Sequence, residues 1–135
     1  MKAVLDTNVV VSGLLTRHGP CAQVLDRMRM GDFRLCVNGE IVAEYDEVLS
    51  RPELSIPAGA RRDFLDFVRH RSEPVDAALS RTALPDEWDR PFLEVAMASG
   101  AILVTGNLRH FPERARKSVT VARPAEFLEI LRESV

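Results

Sequence analysis

Met1-Lys2-Ala3-Val4-Leu5-Asp6-Thr7-Asn8-Val9-Val10 opens the chain, a short apolar run that ends on a carboxylate and leads through small polar residues into a second apolar stretch. Lys2 to Leu5 predicts a buried strand, with Asp6 at its carboxyl end. In open α/β sheets that end is where ligands bind. The same aspartate also suits a helix cap or a turn, so the rest of the chain has to decide between the two.

Beyond this stretch, apolar and helical segments alternate. A helical region is expected from about Val9 to Met30, interrupted around His18-Gly19-Pro20, then a strand from Phe33 to Val37. Gly39 to Ser50 predicts a helix whose Ile41, Tyr45, Val48 and Leu49 share one face at 3.6-residue spacing, stopped by Arg51-Pro52. Ala58 to Arg71 predicts a second amphipathic helix, with Phe64, Phe67 and Val68 as its apolar face. A weak extended stretch near Glu73 to Val75 and an acidic loop from Leu84 to Asp89 precede a helix from Arg90 to Ser99 that Gly100 ends. Ala101 to Val104 is apolar throughout, as parallel strands covered on both faces are. A short strand at Val119 to Ala122 and a helix from Pro124 to Glu133 follow. The alternation predicts a parallel sheet with helices on both faces.

The 135 residues are enough for one domain over 1–135 with a core of its own, and a composition 46% hydrophobic and 28% charged is that of a globular protein. Asp6 and Asn8 break the first apolar stretch before a signal sequence could form, and no run reaches membrane-spanning length, so a cytoplasmic location without membrane insertion is expected. Cys21 and Cys36 form no paired motif, which argues against zinc ligation and a disulfide framework. A net charge of -2 argues against a protein that coats nucleic acid by bulk positive charge and leaves room for a local phosphate-binding patch. The basic residues are almost all arginine, suited to bidentate phosphate contacts and equally a result of biased composition.

Three carboxylates draw attention. Glu44 stands three residues after Ile41 and four before Val48, on the edge of the apolar stripe, where a solvated rim glutamate would also stand. Asp89 precedes Phe92, Leu93 and Ala96 by three, four and seven residues, which aligns it with a buried stripe; a helix N-cap has the same position. Asp86 and Glu87 lie just upstream, as further ligands or as a polar loop. Thr105-Gly106-Asn107-Leu108-Arg109-His110-Phe111-Pro112 follows the clearest strand, and in a doubly wound sheet its start would neighbour Asp6. Convergence of Asp6, Glu44 and Asp89 would cost several kcal/mol unless a cation compensated it. Oxygen-only ligands select Mg²⁺ or Mn²⁺, and such ions serve phosphodiester hydrolysis.

At these segments the chain resembles the PIN-domain family, in particular the branch of toxins from type II toxin-antitoxin pairs. The matching pieces are Val4-Leu5-Asp6-Thr7-Asn8-Val9 with Ser12-Gly13-Leu14, Glu44 to Pro52, Asp89 to Ala96, and Leu103 to Asn107 with His110-Phe111-Pro112, in family order over nearly the whole chain. The resemblance implies a three-layer α/β/α sandwich with a mostly parallel, Rossmann-like sheet, and an endoribonuclease that cleaves single-stranded RNA with Mg²⁺ or Mn²⁺. It implies Asp6, Glu44 and Asp89 as successive metal ligands and catalytic residues, with Asn8 and Thr105 orienting ligands or water. A small antitoxin protein and a homodimer are the implied partners. Asn107 departs from the pattern, since many members carry an aspartate there; a second metal position then depends on Asn107 or on Asp86 taking its place.

Two other functions are compatible with parts of the pattern. A PIN-like module of weak or lost activity, binding RNA or protein, is compatible with Asn107. A phosphatase or phosphoacceptor with Asp6 as nucleophile is disfavoured, because Asn8 replaces the expected second acid and the late strand-end loop has no lysine.

Overall fold

The computed structural model describes residues 1–79 and 83–134. Its strands are β1 (Lys2–Leu5), β2 (Arg34–Val37), β3 (Glu73–Pro74), β4 (Ile102–Val104) and β5 (Val121–Ala122). The helices are α1 (Thr7–Leu15), α2 (Pro20–Arg29), α3 (Gly39–Leu49), α4 (Ala58–Arg71), α5 (Arg90–Ser99), α6 (Glu113–Arg116) and α7 (Pro124–Glu133). The strands lie in the order β3-β2-β1-β4-β5, and every pairing is parallel. This is the three-layer α/β/α architecture that the alternation predicts.

Parallel neighbours need crossover connections, and helices supply them. From β1 the chain steps outward to β2 and β3, then returns past β1 to place β4 on its other side. The direction of winding therefore reverses between β1 and β4, which opens a crevice at their carboxyl ends. Register fixes what lies there. Leu5 pairs with Val104, and the Asp6 amide donates to the Val104 carbonyl at 2.9 Å while the Thr105 amide donates to Ala122 at 3.0 Å. Asp6 and Thr105 thus leave the sheet side by side.

The central strands are apolar because both faces are covered: Ala3, Val4, Leu5, Leu103 and Val104 are fully buried. Helix α5 packs along β1, β2 and β4, α2 packs against α1 and α7, and α3 packs against α4 and α5. At Gly13 a Cβ would stand 2.6 Å from Leu25 Cδ1 and 2.9 Å from the Cys21 carbonyl, so α1 and α2 approach as closely as they do because this residue has no side chain. Tyr45 of α3 meets Phe64 of α4 edge-on at 5.4 Å and Phe92 of α5 at 6.3 Å. Phe64 is therefore core; Phe67 is partly buried beneath the Arg71 guanidinium, 5.0 Å from its ring centre.

Helix boundaries follow the expected punctuation with few departures. Asn38 caps α3 through a 2.9 Å bond from the Ile41 amide, and Gly100 ends α5 with φ of 74°, a left-handed conformation that favours glycine. The long helical region expected between Val9 and Met30 is two helices. The first starts at Thr7, and Pro20 opens the second. Helix α6 and three short 3-10 turns, Pro52–Leu54, Glu87–Asp89 and Leu108–His110, were not anticipated, being too short to carry a hydrophobic period. Both cysteines are free, Cys36 in the core and Cys21 partly exposed. Among the described residues no helix is long and apolar enough to cross a membrane.

Candidate metal centre

Asp6 and Asp89 stand at the starts of α1 and α5, and neither makes a side-chain capping hydrogen bond. Both residues occupy the N-cap position that the sequence allows, without a side-chain hydrogen bond that closes the cap. Their residual exposures are only 5% and 8%, so each carboxylate is held in a poorly hydrated place at a helix N-terminus. The positive end of the helix favours negative charge there.

Convergence is close. An oxygen of Asp6, an oxygen of Asp89 and a ring nitrogen of His110 all lie within 4.8 Å of one another. The Thr105 hydroxyl, fully buried, donates to Asp6 Oδ2 at 2.8 Å and accepts from the Asn107 amide at 3.0 Å. Asn8 bridges the two strand ends: its Nδ2 donates to Asp6 Oδ2 at 3.4 Å, and its Oδ1 accepts from the Gly106 amide at 3.1 Å. Tyr45 adds a third tie, its phenol donating to the Leu5 carbonyl at 2.5 Å, one residue before Asp6. Asp6 is consequently fixed from both sides of the crevice.

Glu44 approaches from α3 and takes a hydrogen bond from the Thr7 hydroxyl. It is half-buried beside the pair, outside the group of atoms within 4.8 Å. Asp86 is exposed and accepts from the Trp88 amide at 3.0 Å, which organises the turn carrying Asp89. Asn107 behaves similarly: its Oδ1 accepts from the Arg109 amide at 3.1 Å and opens the Leu108–His110 turn. Beside these groups runs a cleft of about 740 Å³ lined by Glu44, Glu47, Arg51, Asp86, Trp88 and Asp89 among others. Trp88 is largely exposed at its edge.

The electrostatics report crowding. Burial pushes the Asp89 carboxyl up to about 7, the Asp6 charge adds to the rise, and His110 opposes it. Asp6 is raised, again by burial first, and is pulled back by the Thr105 hydroxyl and the nearby amides of Thr7 and Asn8. Glu44 is raised by burial against the Thr7 hydrogen bond, with the Asp6 charge contributing.

A divalent cation fits this place. Asp89 Oδ2 is buried without a hydrogen-bond partner, although His110 Nδ1 stands only 3.0 Å away, so the nitrogen is close but not directed as a donor. Buried oxygens of like charge with one left unsatisfied are costly alone and are compensated by a cation. The expected ligands Asp6 and Asp89 come together with His110, whereas Glu44 and Asp86 lie outside that group and Asn107 Oδ1 is engaged by the Arg109 amide. Sequence reasoning missed His110 and Thr7. The only available signals were a lone histidine five residues beyond Thr105 and a hydroxyl inside Asp-Thr-Asn.

Comparison with known proteins places the fold and the family. The family model described as the PIN domain matches residues 2–109. Among solved structures, VapBC2 of Rickettsia felis bound to a promoter DNA fragment aligns with TM-score 0.60 and 17% identity, covering 91% of this chain and 98% of that one. VapBC-1 of nontypeable Haemophilus influenzae aligns with TM-score 0.61 and 15% identity over 93% and 99%. FitAcB of Neisseria gonorrhoeae aligns with TM-score 0.55 and 18% identity over 91% and 98%. No curated protein is significantly similar in sequence. Because the family model spans most of the residues, including Asp6, Glu44, Asp89 and Thr105, the chain belongs to the PIN-domain family.

Proposed function

We propose that the protein is a metal-dependent endoribonuclease that hydrolyses phosphodiester bonds in single-stranded RNA and acts in the cytoplasm as the toxin of a toxin-antitoxin pair. The observation that carries this reading is the buried meeting of Asp6 and Asp89 with Asp89 Oδ2 unsatisfied. Mg²⁺ or Mn²⁺ is the proposed cofactor, with Asp6 and Asp89 as ligands and Glu44 alongside. When bound, such a cation supplies Lewis acidity toward a phosphate oxygen and acidifies water.

The chain's own residues do the rest. Thr105 and Asn8 hold the Asp6 carboxylate in one orientation. Glu44, kept on Thr7 at the mouth of the site, is placed to take a proton from an attacking water, and its raised affinity for protons suits that role. The neighbouring cleft, with Trp88 at its edge, offers a face on which an unpaired base can stack. The fold shared with VapBC2, VapBC-1 and FitAcB supports a small antitoxin partner, and the homodimer rests on the resemblance to the toxin branch alone.

The test is cleavage of an unstructured RNA oligonucleotide beside its DNA counterpart. RNA is expected to be cut with Mg²⁺ or Mn²⁺, to survive in EDTA, and to survive with Asp6→Asn under all conditions. Cleavage that persists in EDTA contradicts the mechanism, and cleavage of DNA alone contradicts the substrate.

A further inference from the structure

We propose that His110, through Nδ1, is a ligand of the cation held by Asp6 and Asp89, and that this nitrogen makes the centre favour Mn²⁺ and later first-row ions over Mg²⁺. The inference rests on the metal-dependent reading above. It goes beyond it by changing the donor set from oxygens alone to oxygens and an imidazole.

The geometry of the Asp89–His110 contact carries the argument. His110 Nδ1 lies 3.0 Å from Asp89 Oδ2, a hydrogen-bond distance, yet that oxygen has no hydrogen-bond partner. A nitrogen and an oxygen at this separation without hydrogen-bond geometry have the spacing of two donors around a common cation. Two donors at right angles on one cation, each about 2.1 Å from it, stand about 3 Å apart. The third donor, Asp6, falls within the same 4.8 Å compass.

The position of the ring is built rather than incidental. Asn107 Oδ1 accepts from the Arg109 amide at 3.1 Å and the Asn107 carbonyl accepts from the His110 amide at 3.2 Å. The next residue, Phe111, is fully buried, and its carbonyl accepts from Arg116 Nε at 2.5 Å. The Asn107 amide donates to the same Thr105 hydroxyl that holds Asp6. One short turn therefore orients both Asp6 and His110, which gives Asn107 a role through its hydrogen bonds rather than through charge. The chemical consequence follows from ligand preference: Mg²⁺ prefers oxygen, whereas first-row transition ions accept imidazole.

Calorimetric titration with MnCl₂ and MgCl₂, together with pulsed EPR of the Mn²⁺ complex, tests this on the whole chain. The parent protein is expected to bind Mn²⁺ about tenfold or more tighter than Mg²⁺ and to show nitrogen hyperfine coupling. His110→Ala and His110→Gln should each lose that coupling and about tenfold or more of the Mn²⁺ affinity, with Mg²⁺ binding within about threefold of the parent. Circular dichroism on both variants confirms folding. Mn²⁺ bound by the parent without nitrogen coupling, or an unaltered preference between the ions in both variants, overturns the role of His110 and leaves the carboxylate centre standing. Failure of the parent to bind either ion overturns both.

Discussion

Asp89→Asn is expected to abolish cleavage, by about a thousandfold or more, while raising the melting temperature of the metal-free protein. The stability gain has a definite pH dependence. Folding raises the Asp89 carboxyl from 3.8 to about 7, chiefly by burial and then by the Asp6 charge, so the native state binds this proton more tightly than the unfolded chain does. That contribution to stability is complete below about pH 4 and is lost as pH rises through about 7. Above about pH 8 the metal-free parent bears the full cost of two buried carboxylates side by side. The neutral amide removes it, and the variant should then be more stable by on the order of 2 kcal/mol, or about 7 °C. Near about pH 4 the two proteins should melt together. Thermal melts in EDTA across this range check the sign. A variant less stable than the parent at high pH would make Asp89 a structural residue.

Thr105→Val carries the second large effect. The side chains are nearly isosteric, so the change removes a hydroxyl without opening space. That hydroxyl is fully buried, donates to Asp6 Oδ2 and accepts from the Asn107 amide. Its loss leaves the amide unsatisfied and frees the Asp6 carboxylate to turn, at a cost of about 1–3 kcal/mol. Cleavage should fall about 10–100-fold, the usual effect of losing a group that orients a metal ligand. Urea unfolding and single-turnover cleavage measure the two losses. Stability and activity both within error of the parent would remove Thr105 from the support of the site.

The sheet is legible where its central strands are apolar on both faces and its helices carry a clear period; α4, α5 and α7 lie over the residues expected of them, whereas β3, Glu73–Pro74, has no such run and reads only as a weak extended stretch. The turns are not legible, since a three-residue segment such as Glu87–Asp89 has no periodicity to read. The site divides the same way. Asp6 and Asp89 could be placed, one by a strand end and the other by alignment with a buried stripe. Their neighbours are decided by tertiary contacts between residues as far apart as Asp6 and Thr105. His110 was out of reach because its place depends on the turn that Asn107 organises. Glu44, which the resemblance makes a metal ligand, sits on the helix edge that its spacing predicts, turned toward Thr7 and outside the Asp6–Asp89–His110 group.

Asp6 and Asp89 together are expected to hold a cation, and thermal melts with and without Mn²⁺ measure this. At a concentration about a hundredfold above its dissociation constant, Mn²⁺ should stabilise the parent by about 2.7 kcal/mol, a rise of several degrees. Asp6→Asn should show no such rise while remaining folded. An equal rise in the parent and in Asp6→Asn, or none in the parent at saturating Mn²⁺, would contradict the claim.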